Sequence, residues 1–115
     1  MRRGVDEMVI LNELTDAIFH PVRHKILMIL KEKPSTVSEI VEKLNNMGIS
    51  AEKRSVAFHI AILGGYKLIN APDEDTSTWR RVGEGHYEKV FRLNEDKLRE
   101  QLDKAEKMIE ELRGA

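Results

Sequence analysis

Thr36 and Glu39 stand three residues apart, directly ahead of an apolar run with helical spacing, and no other feature narrows the possible folds as much. In such a T-x-x-E box the threonine hydroxyl accepts from the N–H of the third helical residue. The glutamate carboxylate accepts in turn from the threonine N–H, so two orphan donors of a helix start are satisfied together. Val37, Ile40, Val41 and Leu44 follow at i, i+3, i+4 and i+7, the stripe of one helix face. Pro34 ends whatever precedes it, because the residue before a proline is pushed out of the helical region. NNMG, residues 45–48, breaks the chain on the other side. A short helix with one apolar stripe needs neighbours to cover it.

The flanking sequence supplies them. Pro21 suits a first helical position, where a missing N–H costs nothing, and places Val22, Ile26, Ile29 and Leu30 on one side. Further upstream, Val5, Met8, Val9, Leu11, Leu14 and Ile18 form a broad apolar face over about residues 5–19. Downstream, Ser50 is suited to cap a helix over about residues 51–63, which Gly64-Gly65 would end. Strand-like segments follow at about 67–71, 78–82 and 87–93. In the last, Tyr87, Lys89, Phe91 and Leu93 alternate with Glu88, Val90 and Arg92. PDEDTST and GEG read as turns, and a final helix spans about residues 95–112. Two short helices joined by a turn, then a hairpin rich in Arg and Lys, is the order of a winged helix-turn-helix. The expected fold class is therefore mainly α with a small β-hairpin.

At 115 residues the chain is expected to form one domain over 1–115. It holds no cysteine, which excludes disulfides and thiolate metal sites and fits a reducing cytoplasm. MRRGVDEM has charge but no apolar run behind it, so a signal peptide is not expected. The longest apolar run, Ile26 to Leu30, is far too short to span a membrane. No pairing of nucleophile, base and oxyanion donor is visible, so the chain is not expected to be an enzyme, nor to need a cofactor. Charge is nearly balanced, 19 basic against 20 acidic side chains, but unevenly placed. Residues 20–93 hold twelve basic and nine acidic groups, while both flanks carry an excess of acid. A mildly basic middle permits nucleic-acid binding by a local patch.

HPVRHKILMIL, PSTVSEIVEKL, RSVAFHIAILGGYKLI and KVFRLN, taken in that order, resemble successive blocks of the ArsR/SmtB type of winged-helix transcriptional regulator, whose scaffold MarR-like and PadR-like regulators share. The similarity covers about residues 14–94. It implies a homodimer on double-stranded operator DNA, with an N-terminal helix (1–19) and a C-terminal helix (94–115) as dimerisation elements around a core of 20–93. The helix at 36–46 would support and that at 51–63 would read. Ser55 matches a small hydroxyl residue that commonly touches phosphate, Arg54 a base- or phosphate-contacting position, and Val56, Ile60 and Leu63 the buried positions. Three features depart from the pattern. Ala57, Phe58 and Ala61 replace the usual polar reading face. The turn NNMGISAEK is longer than usual, which shifts the register near Lys53. Lys67 stands where a glycine generally precedes the first wing strand.

On a helical wheel Val56, Ile60 and Leu63 fall together with His59 at their edge, and Arg54, Phe58 and Ile62 lie opposite. Phe58 either touches thymine methyl groups beside Arg54 or packs, with Ile62, under the wing or a neighbouring helix. The expected DNA contacts are Lys53, Arg54, Ser55, Ala57 and Phe58 from the helix and Arg80, Arg81 and Lys89 from the wing. Asp73, Glu74 and Asp75 would repel DNA if they faced it and are candidates to pair with the arginines. His20 and His24, four apart, could share a metal, but no further ligand is near in sequence. His20 is expected to cap, His24 to lie at the surface, and no metal to be bound. Leu98, Leu102, Ala105, Ile109 and Leu112 repeat at 4, 3, 4, 3, a coiled-coil seam; with Leu11, Leu14 and Ile18 they are the expected dimer contacts. The function expected is that of a sequence-specific DNA-binding regulator. The rival is a winged-helix protein-interaction module that ignores DNA.

Overall fold

The computed structural model describes residues 17–70 and 79–114. Three helices come first: α1 (Pro21–Glu32), α2 (Val37–Asn46) and α3 (Lys53–Gly65). Four short strands follow, β1 (Ile69–Asn70), β2 (Trp79–Gly83), β3 (His86–Lys89) and β4 (Arg92–Leu93), and then α4 (Glu95–Gly114). The helix expected over about 5–19 lies outside the described residues except at its end, and the turn PDEDTST lies outside them too. Among the described residues no helix is long and apolar enough to cross a membrane.

The capping box forms as read. Thr36 Oγ1 accepts from the Glu39 N–H (3.2 Å), and Glu39 Oε1 accepts from the Thr36 N–H (2.9 Å). At the other end of α2, Gly48 takes φ +82, its N–H donates to Asn45 O (3.0 Å), and the Ile49 N–H donates to Leu44 O (2.9 Å). These paired bonds are a Schellman closure, with glycine in the left-handed position.

α3 departs from expectation at both ends. Glu52, not Ser50, is the N-cap residue, and the turn before it is held by Asn45 Oδ1, which accepts from the Ala51 N–H (3.0 Å). The glycine pair does not stop the helix; both residues belong to its last turn. The stop is a second Schellman closure one step later. The Lys67 N–H donates to Gly64 O and the Leu68 N–H to Leu63 O (each 3.0 Å), and Lys67 itself sits at φ 61. Leu63 and Leu68, which flank that closure, are both fully buried, and burial of each side chain is worth about 1.5–3 kcal/mol. Their packing sets the stop, and Lys67 accepts the strained backbone.

The core joins Ile26, Leu27, Ile29 and Leu30 of α1, Ile40 and Leu44 of α2, Val56, Ile60 and Leu63 of α3, and Leu68 and Ile69 beyond. The segment read as one strand over 87–93 serves three partners. β3 pairs with β2 in an antiparallel hairpin, the wing. Phe91 bridges Ser35 (3.1 and 2.9 Å), and β4 pairs with β1. Val90, between them, leaves the ladder and is buried. In the wing Trp79 faces Lys89, Arg80 faces Glu88 and Arg81 faces Tyr87, before the register shifts into a turn where Gly85 has φ +70. Asn94 starts α4: its Oδ1 accepts from the Lys97 N–H (3.2 Å), and its amide donates to Lys67 O (3.0 Å).

Candidate nucleic-acid interface

Burying Val56, Ile60 and Leu63 turns the opposite side of α3 outward. Lys53, Arg54, Ser55, Ala57, Phe58 and Ala61 are exposed there. The row Arg54–Phe58–Ile62 divides, since Phe58 is 60% exposed while Ile62 is half-buried. Ser55 serves its own helix: its hydroxyl accepts from the Glu52 N–H (3.3 Å) and donates to Glu52 O (2.9 Å).

Strand geometry separates the two arginines of the wing. Successive residues of a strand point to opposite faces, so Arg80 and Glu88 share one face, while Trp79, Lys89, Arg81 and Tyr87 share the other. The Arg80–Glu88 face meets the first turn of α2. Both carboxylate oxygens of Glu39 accept from Nη1 of Arg80 (2.5 and 2.6 Å). Glu88 accepts from the Ser38 N–H (2.8 Å) and the Ser38 hydroxyl (2.6 Å), and Lys53 Nζ lies 3.4 Å from it. Glu88 therefore meets the first turn of α2, where open N–H groups favour an anion, and the Lys53 ammonium from the first turn of α3. Burial pushes the Glu88 carboxyl up, but the Ser38 donors and Lys53 outweigh it and hold its pKa below the ordinary carboxylate value. Glu39 follows the same pattern: burial raises its pKa, and the Thr36 N–H and Arg80 lower it further than burial raises it.

On the outward face Lys89 Nζ lies 5.9 Å from the Trp79 ring centroid, a cation–π distance, and Arg81 Nε donates to Gly83 O (3.2 Å). Cations interleaved with aromatic rings suit phosphate and sugar contact. Of the eight expected DNA-contact residues, five therefore line the exposed side of α3, and Arg81 and Lys89 lie on the outer wing face. Arg80 turns to α2 and bonds Glu39, not the acidic turn at 73–75, which lies outside the described residues.

A second cluster joins α1 to α3. Arg23, almost fully buried, donates from Nε to His59 Nδ1 (3.0 Å), and the His20 and His59 rings lie 5.0 Å apart. A nitrogen that accepts carries no proton, so His59 is neutral. Burial, then the charge of Arg23, then His20 hold its pKa below the ordinary histidine value. His20 is the N-cap residue of α1, yet its side chain makes no capping bond, and its buried Nδ1 has no partner among the described residues. The expectation that its side chain caps is corrected: the ring turns toward His59 instead. His24 is exposed, as read. Among the described residues no three His, Cys, Asp or Glu side chains gather as a metal site would require.

Of the expected dimer contacts, Leu11 and Leu14 lie outside the described residues, and Ile18 and Leu98 are half-buried against the core. Ala105 is half-buried, whereas Leu102, Ile109 and Leu112 are 45%, 48% and 82% exposed.

Ser38, Glu88 and Arg23 carry no motif in the sequence that marks them for this cluster, and Glu39 is marked only as a cap. The signal that points to Glu88 is the hairpin register, which sets it opposite Arg80.

No protein-family model matches the sequence, and no curated protein matches it. The backbone is similar to the crystal structure of a PadR family transcriptional regulator from Eggerthella lenta DSM 2243, at 16% sequence identity and a TM-score of 0.52, over 97% of this chain and 92% of that one. The likeness is one of fold alone, and the described residues of this chain are mainly helical with a small antiparallel hairpin.

Proposed function

We propose that the chain is a cytoplasmic DNA-binding transcriptional regulator in which one winged-helix domain acts as a homodimer on a pseudo-palindromic operator. The observation that carries this reading is the exposed front of α3. Arg54 in its first turn, followed by Ala57 and Phe58, lies exposed on the side opposite the core. A helix of this kind enters the major groove with its N-terminal residues on base edges. Arg54 is assigned to a base, Phe58 to a thymine methyl group, and Ser55 to the neighbouring backbone. Arg81 and Lys89 on the outer wing face are assigned to phosphate. The exposed Leu102, Ile109 and Leu112 of α4 support pairing with a second copy, which would place two readers on successive half-sites. Within winged-helix regulators the sequence blocks resemble the ArsR/SmtB type, while the similar fold belongs to a PadR family protein.

A second reading keeps the fold and drops DNA: Phe58 would dock a protein partner. It is favoured by the exposure of Phe58 and by the carboxylates that already hold Lys53 and Arg80. Titration of the protein with its own upstream DNA and with scrambled DNA, at two salt concentrations, separates the two. Salt-dependent binding with a preference for the upstream DNA is expected. A wild type without DNA affinity at low ionic strength overturns the regulator reading in favour of the docking module.

A further inference from the structure

We infer that Glu88 sets the affinity of this chain for DNA, by competing with phosphate for the donors at the front of the helix-turn-helix. The inference rests on the DNA-binding reading above. Backbone N–H groups at helix starts, Ser hydroxyls and Lys ammonium groups are the donors that hold phosphate oxygens in protein–DNA complexes. Here one of each converges on a carboxylate of the same chain: the Ser38 N–H at 2.8 Å, the Ser38 hydroxyl at 2.6 Å and Lys53 Nζ at 3.4 Å.

The exposure of the two partners shows which of them an incoming phosphate meets. The Lys53 side chain is 66% exposed and that of Glu88 only 21%. The ammonium stands at the surface and the carboxylate behind it. A phosphate that approaches Lys53 comes within about a Debye length, roughly 8 Å at physiological ionic strength, of the charge of Glu88 and is repelled by it. The pair of Arg80 with Glu39 repeats this arrangement one strand away. Two of the cations that sequence assigns to DNA are thus offset inside the fold. Glu88 has two effects of opposite sign: it docks the wing to α2 and α3, and it lowers the attraction of that front for DNA.

The test is a double-mutant cycle on the full chain with Glu88→Gln, Lys53→Ala and both together. For Glu88→Gln a lower Tm is expected together with tighter binding, roughly threefold to tenfold, on upstream and scrambled DNA alike. The log K against log salt slope should steepen by up to about 0.9, the equivalent of one gained phosphate contact. Lys53→Ala should change the slope little in the wild type and by about one contact in the Glu88→Gln background. A purely structural role moves Tm but not the salt slope. Weaker binding or an unchanged slope for Glu88→Gln overturns the inference, as does a full-contact loss for Lys53→Ala alone, which needs no change at Glu88 and so remains decisive if Glu88→Gln does not fold. A wild type that binds DNA while these outcomes fail leaves the regulator reading standing. If neither the wild type nor any variant binds DNA, that reading and the inference both fail.

Discussion

Arg80 and Glu88 face each other across the wing, yet each is bonded to the first turn of α2: Arg80 to Glu39 and Glu88 to Ser38. The hairpin is thereby fastened by both its strands to α2. Arg81, one residue on, points to the opposite face. The two adjacent arginines therefore have different work, and their substitutions should differ in kind.

Arg81→Ala should weaken binding to all DNA sequences about equally and lower the magnitude of the salt slope by about 0.9, one phosphate contact. Arg80→Ala should leave that slope nearly unchanged and destabilise the fold by roughly 0.5–1 kcal/mol, the scale of an exposed ion pair. Salt-dependent fluorescence titration and urea unfolding of both variants check this. An equal loss of slope from both would show that Arg80 leaves Glu39 to meet DNA.

Arg54 lies exposed in the first turn of α3. Its replacement by Ala should cost about 1–3 kcal/mol on operator DNA and much less on scrambled DNA. A uniform loss on both would assign Arg54 to phosphate instead of a base.

Stability should fall with acid in two steps that begin at different pH. His59 has a folded pKa below its ordinary value of 6.5, so the unfolded chain takes up the proton first. The stability from its neutral form is complete above that value and is lost as pH falls through the lower folded pKa. Glu39 and Glu88 have folded pKa values below the ordinary 4.5. Their contribution is present above pH 4.5 and is lost as pH falls through those depressed values. Thermal unfolding from pH 8 to pH 3 should show both declines. His59→Gln, which keeps an acceptor for Arg23, should remove the first and keep the second.

Lys67→Gly should stabilise the protein. A side chain in the left-handed region costs roughly 1–2 kcal/mol, of which the extra chain entropy of glycine returns about 0.5–1 kcal/mol. A net gain of up to about 1.5 kcal/mol in urea unfolding is expected. A loss would mean that the Lys67 side chain makes contacts worth more than the strain.

Leu102→Glu places a charge in the middle of the exposed α4 seam and should give monomers in light scattering. A dimer that survives the change would assign the interface to another surface.

The features legible in sequence were those that act within about one helical turn. The Thr36–Glu39 box, the stop at Gly48, Pro21 at the start of α1 and the buried trio Val56, Ile60 and Leu63 all depend on neighbours three to five residues away, and each stands where its spacing put it. The end of α3 was misplaced because two glycines permit a stop without requiring one. The burial of Leu63 and Leu68 carried the helix on to a closure at Lys67. Where the charges go was decided by tertiary structure alone. Ser38 and Glu88 are 50 residues apart, Glu39 and Arg80 are 41, and Arg23 and His59 are 36. The period-two alternation of a strand names two faces but not which of them meets a helix. Tyr87 therefore gave no less reason than Glu88 to face inward. The turn toward Glu88 follows from the Ser38 donors in the first turn of α2 and the Lys53 ammonium from α3, which an aromatic ring cannot satisfy and a carboxylate can.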